Sequence, residues 1–240
     1  MLADNNSVTP APALVLFDID GTLIRRAGPH HRQVLIDAVR HITGLETSTD
    51  HIPVHGMLDP DILTRMMLDA GATPPQVRRA MPGVIEKAQA LYVRRCPDLT
   101  EKTCPGVHDL LAAIHRHGIP AILVTGNLSR IGWRKMQRCG LKPYFRYGAF
   151  AEMAKNRAGL ARLAIRHARQ QGWIRKNAVI SLVGDAPSDI IAAKANRIRS
   201  IAVQTGISTR KELLAQQPDL LLEDLSAVRI EMLVSKMHPS

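Results

Sequence analysis

The chain has 240 residues, 45% of them apolar, with a formal net charge of +11, three cysteines and only 3% aromatic residues. That is enough apolar material for one or two domains with a buried core, and no apolar run approaches the roughly 20 residues of a membrane-spanning helix, which excludes a membrane protein of that kind. Cys96, Cys104 and Cys139 form neither a paired framework nor a CxxC motif, and the first ten residues, read as a loose tail, lack the basic start and apolar stretch of a secretion signal; both point to a cytoplasmic, reduced protein.

The positive charge raises the question of nucleic acid. Two features argue against it: aromatic side chains for stacking are scarce, and the basic residues are spread along the chain. Arg162, Arg166 and Arg169 share one face of a predicted helix, which reads as a solvated face. Steering of small anions accounts for the charge equally well.

In chain order, Ala13–Phe17 is an apolar run without polar alternation, as expected of a strand covered on both faces. It leads directly into Asp18-Ile19-Asp20-Gly21-Thr22. From Ile24 to Thr103 no strand run appears. Helical patterns occupy Arg32–His41, Pro60–Ala70, Pro74–Arg79 and Gly83–Arg95, divided by turn formers at Thr43-Gly44, Gly71 and Pro82. After Pro105, residues Val107, Leu110, Leu111 and Ile114 follow at helical spacing up to Gly118. A second apolar run, Ile119–Val124, ends at Thr125-Gly126-Asn127. Helices are predicted over Leu128–Cys139 and Arg157–Gln171. A third run, Ala178–Val183, ends at Gly184-Asp185 and is followed by a helix over Pro187–Asn196. A fourth, Ile198–Val203, ends near Thr205-Gly206, and Leu220–Leu222 is a short fifth. Strands alternating with helices predict an α/β fold with a doubly wound parallel sheet, a Rossmann-like core over residues 1–24 and 104–240, and an inserted helical cap domain over 25–103.

The polar residues fall where these runs end. In an open parallel sheet, ligands bind outside the carboxyl ends of the strands near the point where strand order reverses. Asp18 and Asp20, Thr125 and Asn127, and Asp185 and Asp189 would therefore share one crevice. Four carboxylates together repel one another and call for a divalent cation, and all-oxygen donors suit Mg²⁺. A carboxylate is ionised near neutral pH and can act as a nucleophile. A second one, two residues on and on the same strand face, can serve as acid and base if its like-charged neighbour raises its pKa.

These motifs resemble those of the haloacid dehalogenase-like superfamily, in its phosphatase branch. Asp18–Thr22 matches the first motif, DxDGT; Thr125-Gly126-Asn127 matches the second; Gly184–Asp189 matches the fourth in its GDxPxD form. The helical insert resembles the cap of phosphoglycolate phosphatase-like and β-phosphoglucomutase-like members. The resemblance implies Asp18 as the nucleophile forming an aspartyl-phosphate and Asp20 as acid and then base. It implies Thr125 with the amides of Gly126 and Asn127 holding the phosphoryl oxygens. Mg²⁺ would sit on Asp18, the backbone carbonyl of Asp20 and Asp185, with Asp189 supporting it. Charge counting with a proton on Asp20 is compatible with a dianionic phosphate once Mg²⁺ and one basic residue are present. For that third-motif residue, counting back from Leu160, Leu163 and Ile165 favours Lys155, with Arg157 the alternative two residues on.

Two further segments, Arg25–Arg32 and His55–Asp59, are candidates for facing the substrate. His51 and His55 are not expected to bind metal, since no third ligand stands near them. The expected activity is Mg²⁺-dependent hydrolysis of a small phosphorylated metabolite. The alternatives are β-phosphoglucomutase-like phosphoryl transfer and a non-catalytic protein that binds a phosphorylated ligand. A haloacid dehalogenase would not need Asp20, and a Schiff-base phosphonatase would want a cap lysine, for which only Lys87 and Lys102 are available.

Overall fold

The computed structural model describes residues 9–25 and 29–235. Most of the expected loose tail (residues 1–8) and positions 26–28 of the loop after the first strand lie outside the described residues. The elements in chain order are β1 (Ala11–Phe17), α1 (His30–Thr43), α2 (Asp59–Asp69), α3 (Pro74–Arg95), α4 (Val107–Arg116), β2 (Ala121–Val124), α5 (Ser129–Arg138) and β3 (Phe145–Ala149). They continue with α6 (Arg157–Gln170), β4 (Ile174–Gly184), α7 (Pro187–Ala195), β5 (Arg199–Val203), α8 (Arg210–Ala215), β6 (Leu220–Leu222) and α9 (Ile230–Val234).

The strands form one sheet in the order β3-β2-β1-β4-β5-β6, and every neighbouring pair is parallel. β1 is central: Val15 lies opposite Ala121 on one side and Ser181 on the other. Its unbroken apolar sequence follows from this position. Ala13, Val15 and Phe17 pack into a core shared with Leu110 and Leu111 of α4, while Leu14 and Leu16 pack with Leu160 and Ala164 of α6 on the opposite face. A strand flanked by helices on both faces has no side left for polar residues.

Besides the short helices α8 and α9, which no expected element covers, three elements differ from expectation. The strand β3 carries Arg146 and Gly148 among its five residues, so it lacks an apolar run. It is an edge strand, and Gly148 leaves room for the Phe150 ring, which a Cβ there would approach to 2.4 Å. Pro82 does not divide two helices; α3 runs through it from Pro74 to Arg95. Proline removes one backbone bond from a helix, but burial of Val77, Val84, Ala88 and Tyr92 holds the segment together. Finally, β4 begins at Ile174 rather than Ala178, because its exposed first residues, Arg175, Lys176 and Asn177, extend beyond the core.

The three cysteines are buried and unpaired, and burial pushes the Cys104 and Cys139 thiols up to about 11, so neither is a reactive thiolate near neutral pH. No helix among the described residues is long and apolar enough to cross a membrane.

Two glycines separate backbone strain from steric fit. Gly106 (φ +76°) and Gly172 (φ +67°) both occupy the left-handed region, but a Cβ at Gly106 would lie 2.1 Å from the Ser226 backbone nitrogen, whereas one at Gly172 would meet nothing within 4 Å among the described residues. Gly172→Ala is expected to destabilise by about 1–2 kcal/mol from conformation alone, and Gly106→Ala by clearly more because backbone must move. Chemical denaturation of both variants checks this; equal losses would contradict it.

Candidate active site

The chain passes from β1 to β2 on one side and later crosses to β4 on the other, so strand order reverses beside β1. The carboxyl ends of β1, β2 and β4 open there into a cavity of about 390 Å³. Asp18, Asp185 and Asp189 are all buried and bring one carboxylate oxygen each to within 4.8 Å of one another. The Arg157 guanidinium stands between two of them: Nη1 is 2.6 Å from Asp189 Oδ1 and 2.9 Å from Asp18 Oδ1.

The hydrogen bonding of the three acids is unequal. Asp189 is fully engaged, with Oδ1 accepting from Arg157 and Oδ2 from the Ala186 amide at 3.1 Å. Asp185 Oδ1 accepts from Thr22 Oγ1 at 3.1 Å. Among the described residues, the buried Asp185 Oδ2 accepts no hydrogen bond, and Asp18 Oδ1 has only its ion pair with Arg157. Burial, with Asp18 and Asp189 close by, pushes the Asp185 carboxyl well above the usual range. Burial does the same to Asp189, up to about 7, against the pull of Arg157. Burial opposes the charge on Arg157, but Asp18 and Asp189 hold it protonated more firmly than an ordinary arginine.

Glycines make the close approach possible. A Cβ would lie 2.2 Å from Asp185 Oδ2 at Gly21, 1.7 Å from it at Gly206, and 2.2 Å from Asp189 Cγ at Gly184. Gly21 also needs the left-handed conformation (φ +87°) to turn the chain after Asp20, and its amide bonds back to the Ile24 carbonyl at 2.7 Å.

Asp20 belongs to a second network. The fully buried Lys135 places its ammonium 2.7 and 2.5 Å from the two Asp20 oxygens and 2.6 Å from Asn127 Oδ1. Asn127 Nδ2 donates to Asp20 Oδ2 and to Thr125 Oγ1, both at 2.8 Å. Lys135 also lies 3.2 Å from His31 Nδ1, and His31 Nε2 is 3.1 Å from Asp59 Oδ2. An ammonium has no lone pair, so Nδ1 accepts and the ring proton sits on Nε2, facing Asp59. Burial alone would raise the Asp20 carboxyl; the Lys135 charge and the hydrogen bonds from Lys135 and Asn127 override it and hold the carboxyl below its usual range. The resting group is therefore a carboxylate, which corrects the charge count that placed a proton on Asp20.

The insert between β1 and α4 sits directly on the second-motif loop. The Asp59 amide donates to the Gly126 carbonyl and its Oδ2 accepts from the Leu128 amide, each at 2.8 Å. A Cβ on Gly126 would approach the Met57 carbonyl to 2.3 Å. His55, Gly56, Met57 and Asp59 line the cavity, as does Arg32 of the other candidate segment. His55 Nε2 bonds Ser208 Oγ at 2.8 Å and lies 3.7 Å from Asp185 Oδ2.

Most of the expected site residues thus meet in one crevice: Asp18, Asp20, Thr125, Gly126, Asn127, Asp185 and Asp189. Lys155 does not. It is exposed, on the turn before α6, and Arg157 occupies the position expected of it. The reason is local: Asn156 caps the helix, its side chain accepting from the Gly159 amide at 2.8 Å, so Arg157 is the first helical residue and turns into the crevice. An Asn immediately before the periodic run was the usable signal. The sequence reading missed Lys135; His31 and Asp59 fall within the two candidate substrate-facing segments, without individual roles assigned there. Lys135 was detectable as the one charge on the apolar stripe Leu128, Ile131, Met136 and Cys139.

The haloacid dehalogenase-like hydrolase family model matches residues 12–196. Phosphoglycolate phosphatase of Pseudomonas putida is 26% identical over 222 residues, covering 90% of this chain and 78% of the relative. Phosphoglycolate phosphatase of Synechococcus elongatus is 27% identical over 214 residues, covering 87% and 92%. The crystal structure of CbbY from Rhodobacter sphaeroides in complex with xylulose-(1,5)bisphosphate superposes with a TM-score of 0.69 at 21% identity, covering 90% of this chain and 95% of that one. With the family match spanning three strand ends and the residues placed on them, the chain belongs to the haloacid dehalogenase-like hydrolases.

Proposed function

We propose that the protein is a Mg²⁺-dependent phosphomonoester hydrolase that works through an aspartyl-phosphate at Asp18, with a phosphoglycolate-like small metabolite as substrate. The observation that carries the reading is the buried trio Asp18, Asp185 and Asp189, in which Asp185 Oδ2 accepts no hydrogen bond among the described residues and Asp18 Oδ1 has only its ion pair with Arg157. Buried polar atoms without partners are rare, and hard oxygen donors closely grouped suit Mg²⁺. Asp18 and Asp185, the two of the three not saturated by hydrogen bonds, would hold the ion. Asp189, with both oxygens engaged, anchors Arg157. When bound, the cation would supply charge neutralisation for the incoming phosphate. The small-substrate reading is supported by the cavity volume of about 390 Å³, near the lower end of small-molecule sites, and by the curated relatives named above.

In this mechanism the phosphoryl group lies between Asp18, Arg157 and the loop Thr125–Asn127. Asp18 attacks phosphorus, the bond to the leaving oxygen breaks, and the phosphoryl group is carried on the Asp18 carboxylate. Water then attacks the phosphorus, the aspartyl bond breaks, and phosphate leaves. Asp20 exchanges the protons. Lys135 keeps it as a carboxylate, the form that takes a proton from the attacking water; a proton must first reach Asp20 before it can pass to the leaving oxygen. With all four carboxylates ionised, the formal charge is −4; Arg157 and Lys135 reduce it to −2, and a divalent cation brings it to zero. Such positioning and neutralisation are the main contributions a protein makes to phosphoryl transfer.

Phosphate release from 2-phosphoglycolate and from β-glucose 1-phosphate, with Mg²⁺ present, tests the reading. The expected outcome is preferential release from 2-phosphoglycolate by the wild type and none above background from Asp18→Asn. Arg157→Ala is expected to lose about 2–4 kcal/mol of transition-state stabilisation, roughly 30- to 1,000-fold in kcat/KM, and Lys155→Ala only a few-fold. Retained activity in Asp18→Asn would overturn the nucleophile assignment.

The acid cluster also predicts how the metal-free protein responds to pH. Folding raises Asp185 and Asp189, so their stabilising contribution is present below the unfolded-state pKa of about 4 and is lost as pH rises through the raised folded values, about 7 for Asp189. The thermal midpoint of metal-free protein is expected to fall from mildly acidic to mildly alkaline pH, and Mg²⁺ should recover the loss at the upper end. Scanning calorimetry over that range checks it; a midpoint that rises with pH without metal would contradict it.

A further inference from the structure

Several surface cations on the insert and α5 are paired with acids. Arg65 pairs with Asp69 at 2.9 Å, Arg95 with Asp37, and Arg130 with Glu86 at 2.5 Å. The face of the sheet covered by α6 is different. Residues 153–184 contain Lys155, Arg157, Arg162, Arg166, Arg169, Arg175 and Lys176 and not one Asp or Glu. Between α6 and the end of α7, at the amino ends of β4 and β5, lies a cavity of about 1080 Å³. It is far from the strand ends that carry Asp18 and Asp185.

Arg162, Arg166 and Arg169 form one wall of this cavity, Lys194 and Arg197 the other, and Ile165, Ile180 and Ile198 lie between them. All five basic residues are exposed. Among the described residues none of the five has a hydrogen bond or ion pair from its side chain. Two other charged groups at the cavity are already engaged: Asp219 accepts from the Ser200 amide and hydroxyl at 2.8 and 2.7 Å, and Arg199 donates to the carbonyls of Met232 and Ser235.

The arrangement works against local stability. Arg162 and Arg166 are i,i+4 neighbours and Arg166 and Arg169 are i,i+3, both unfavourable for like charges on a helix. Lys194 and Arg169 sit in the last turns of their helices, where the dipole favours a cation, but Arg162 and Arg166 have no such reason. Arg197 adds an independent observation. It follows the end of α7 with φ +54°, a left-handed conformation usually left to glycine at that position. An arginine is held there at a conformational disadvantage, and it lines the cavity.

We propose that this cavity is a second ligand site, for a small organic oligophosphate: two or more linked phosphates between the cations of α6 and those at the end of α7, with the organic part against Ile165, Ile180 and Ile198. The cations converge from two walls on one concavity of about the size of a large small-molecule site. Nucleic acid fits less well, because aromatic residues make up only 3% of the chain and none lines this cavity to stack bases.

Calorimetric titration of the metal-free protein with inorganic tripolyphosphate tests the proposal, and variants confined to this cavity separate its binding from any in the catalytic crevice. The expected result is saturable binding of one equivalent, weakened at least tenfold in Arg166→Ser/Arg197→Ser and in a separate Arg162→Gln/Lys194→Gln variant. Mg²⁺-supported hydrolysis of an aryl phosphate should be unchanged in both, which also shows that they fold. ATP should bind more tightly than tripolyphosphate if the apolar floor takes an organic group. Absence of saturable binding, or equal binding by wild type and both variants, would overturn the proposal. So would tighter, steeply salt-dependent binding of a short oligouridylate that tripolyphosphate does not displace, which would assign the face to nucleic acid.

Discussion

Four carboxylates, Asp18, Asp20, Asp185 and Asp189, reach one crevice at the ends of parallel strands, and the rest of the molecule has to accommodate their mutual repulsion. Two buried cations do most of this. Arg157 bridges Asp18 and Asp189, and Lys135 holds Asp20. Each has its own group of acids, so the site divides into two halves with opposite pKa behaviour. Asp185 and Asp189 are pushed up by burial and like charge, while Asp20 is pulled down by Lys135. Groups whose environments drive their pKa values apart are well suited to different tasks in one reaction. The half left short of positive charge, three acids to one arginine, is the one in which Asp185 Oδ2 accepts no hydrogen bond among the described residues.

Backbone makes this density possible. Gly21, Gly184 and Gly206 each sit where a Cβ would overlap an acid, so the fourfold cluster depends on side chains that are absent as much as on those present. The parallel sheet then fixes the relative positions of Asp18 and Asp185, because β1 and β4 are hydrogen-bonded neighbours in register from Ala13 to Phe17. The helical insert meets this frame at Gly126 and Leu128 through Asp59, and at Lys135 through His31. The same Lys135 that holds Asp20 thus also touches the insert, so the position of the insert and the position of the proton-exchanging group are linked by one side chain.

The sheet and the acids were legible in the sequence for a physical reason. β1, β2 and the second half of β4 are buried on both faces, so each is an apolar run, and Asp18, Thr125 and Asp185 stand out at the point where each run stops. β3 was not legible, because an edge strand with an exposed arginine and a glycine has no such run. Pro82 was misleading, because tertiary packing of α3 outweighed one missing backbone bond. The third-motif position moved from Lys155 to Arg157 because helix capping by Asn156, a local hydrogen bond, decides which side chain turns inward; apolar spacing alone does not. Lys135 escaped notice because pairing with Asp20 is a contact across 115 positions of chain, visible only once the fold is known. The unmatched arginines of α6 were read correctly as one helix face, but the share of the cavity contributed by Lys194 and Arg197 arises only from the packing of α6 beside α7.

The central claim is that Asp18 carries the phosphoryl group. Its most direct measurement is to quench the enzyme during hydrolysis of 2-phosphoglycolate with Mg²⁺, reduce with borohydride, and locate the modified residue by mass spectrometry, alongside the Asp20→Asn variant. The account predicts reductive modification at Asp18, with a larger fraction in Asp20→Asn because the second step lacks its base. Undiminished wild-type turnover with no modification at Asp18 in either protein would contradict it and assign the reaction to direct attack by water.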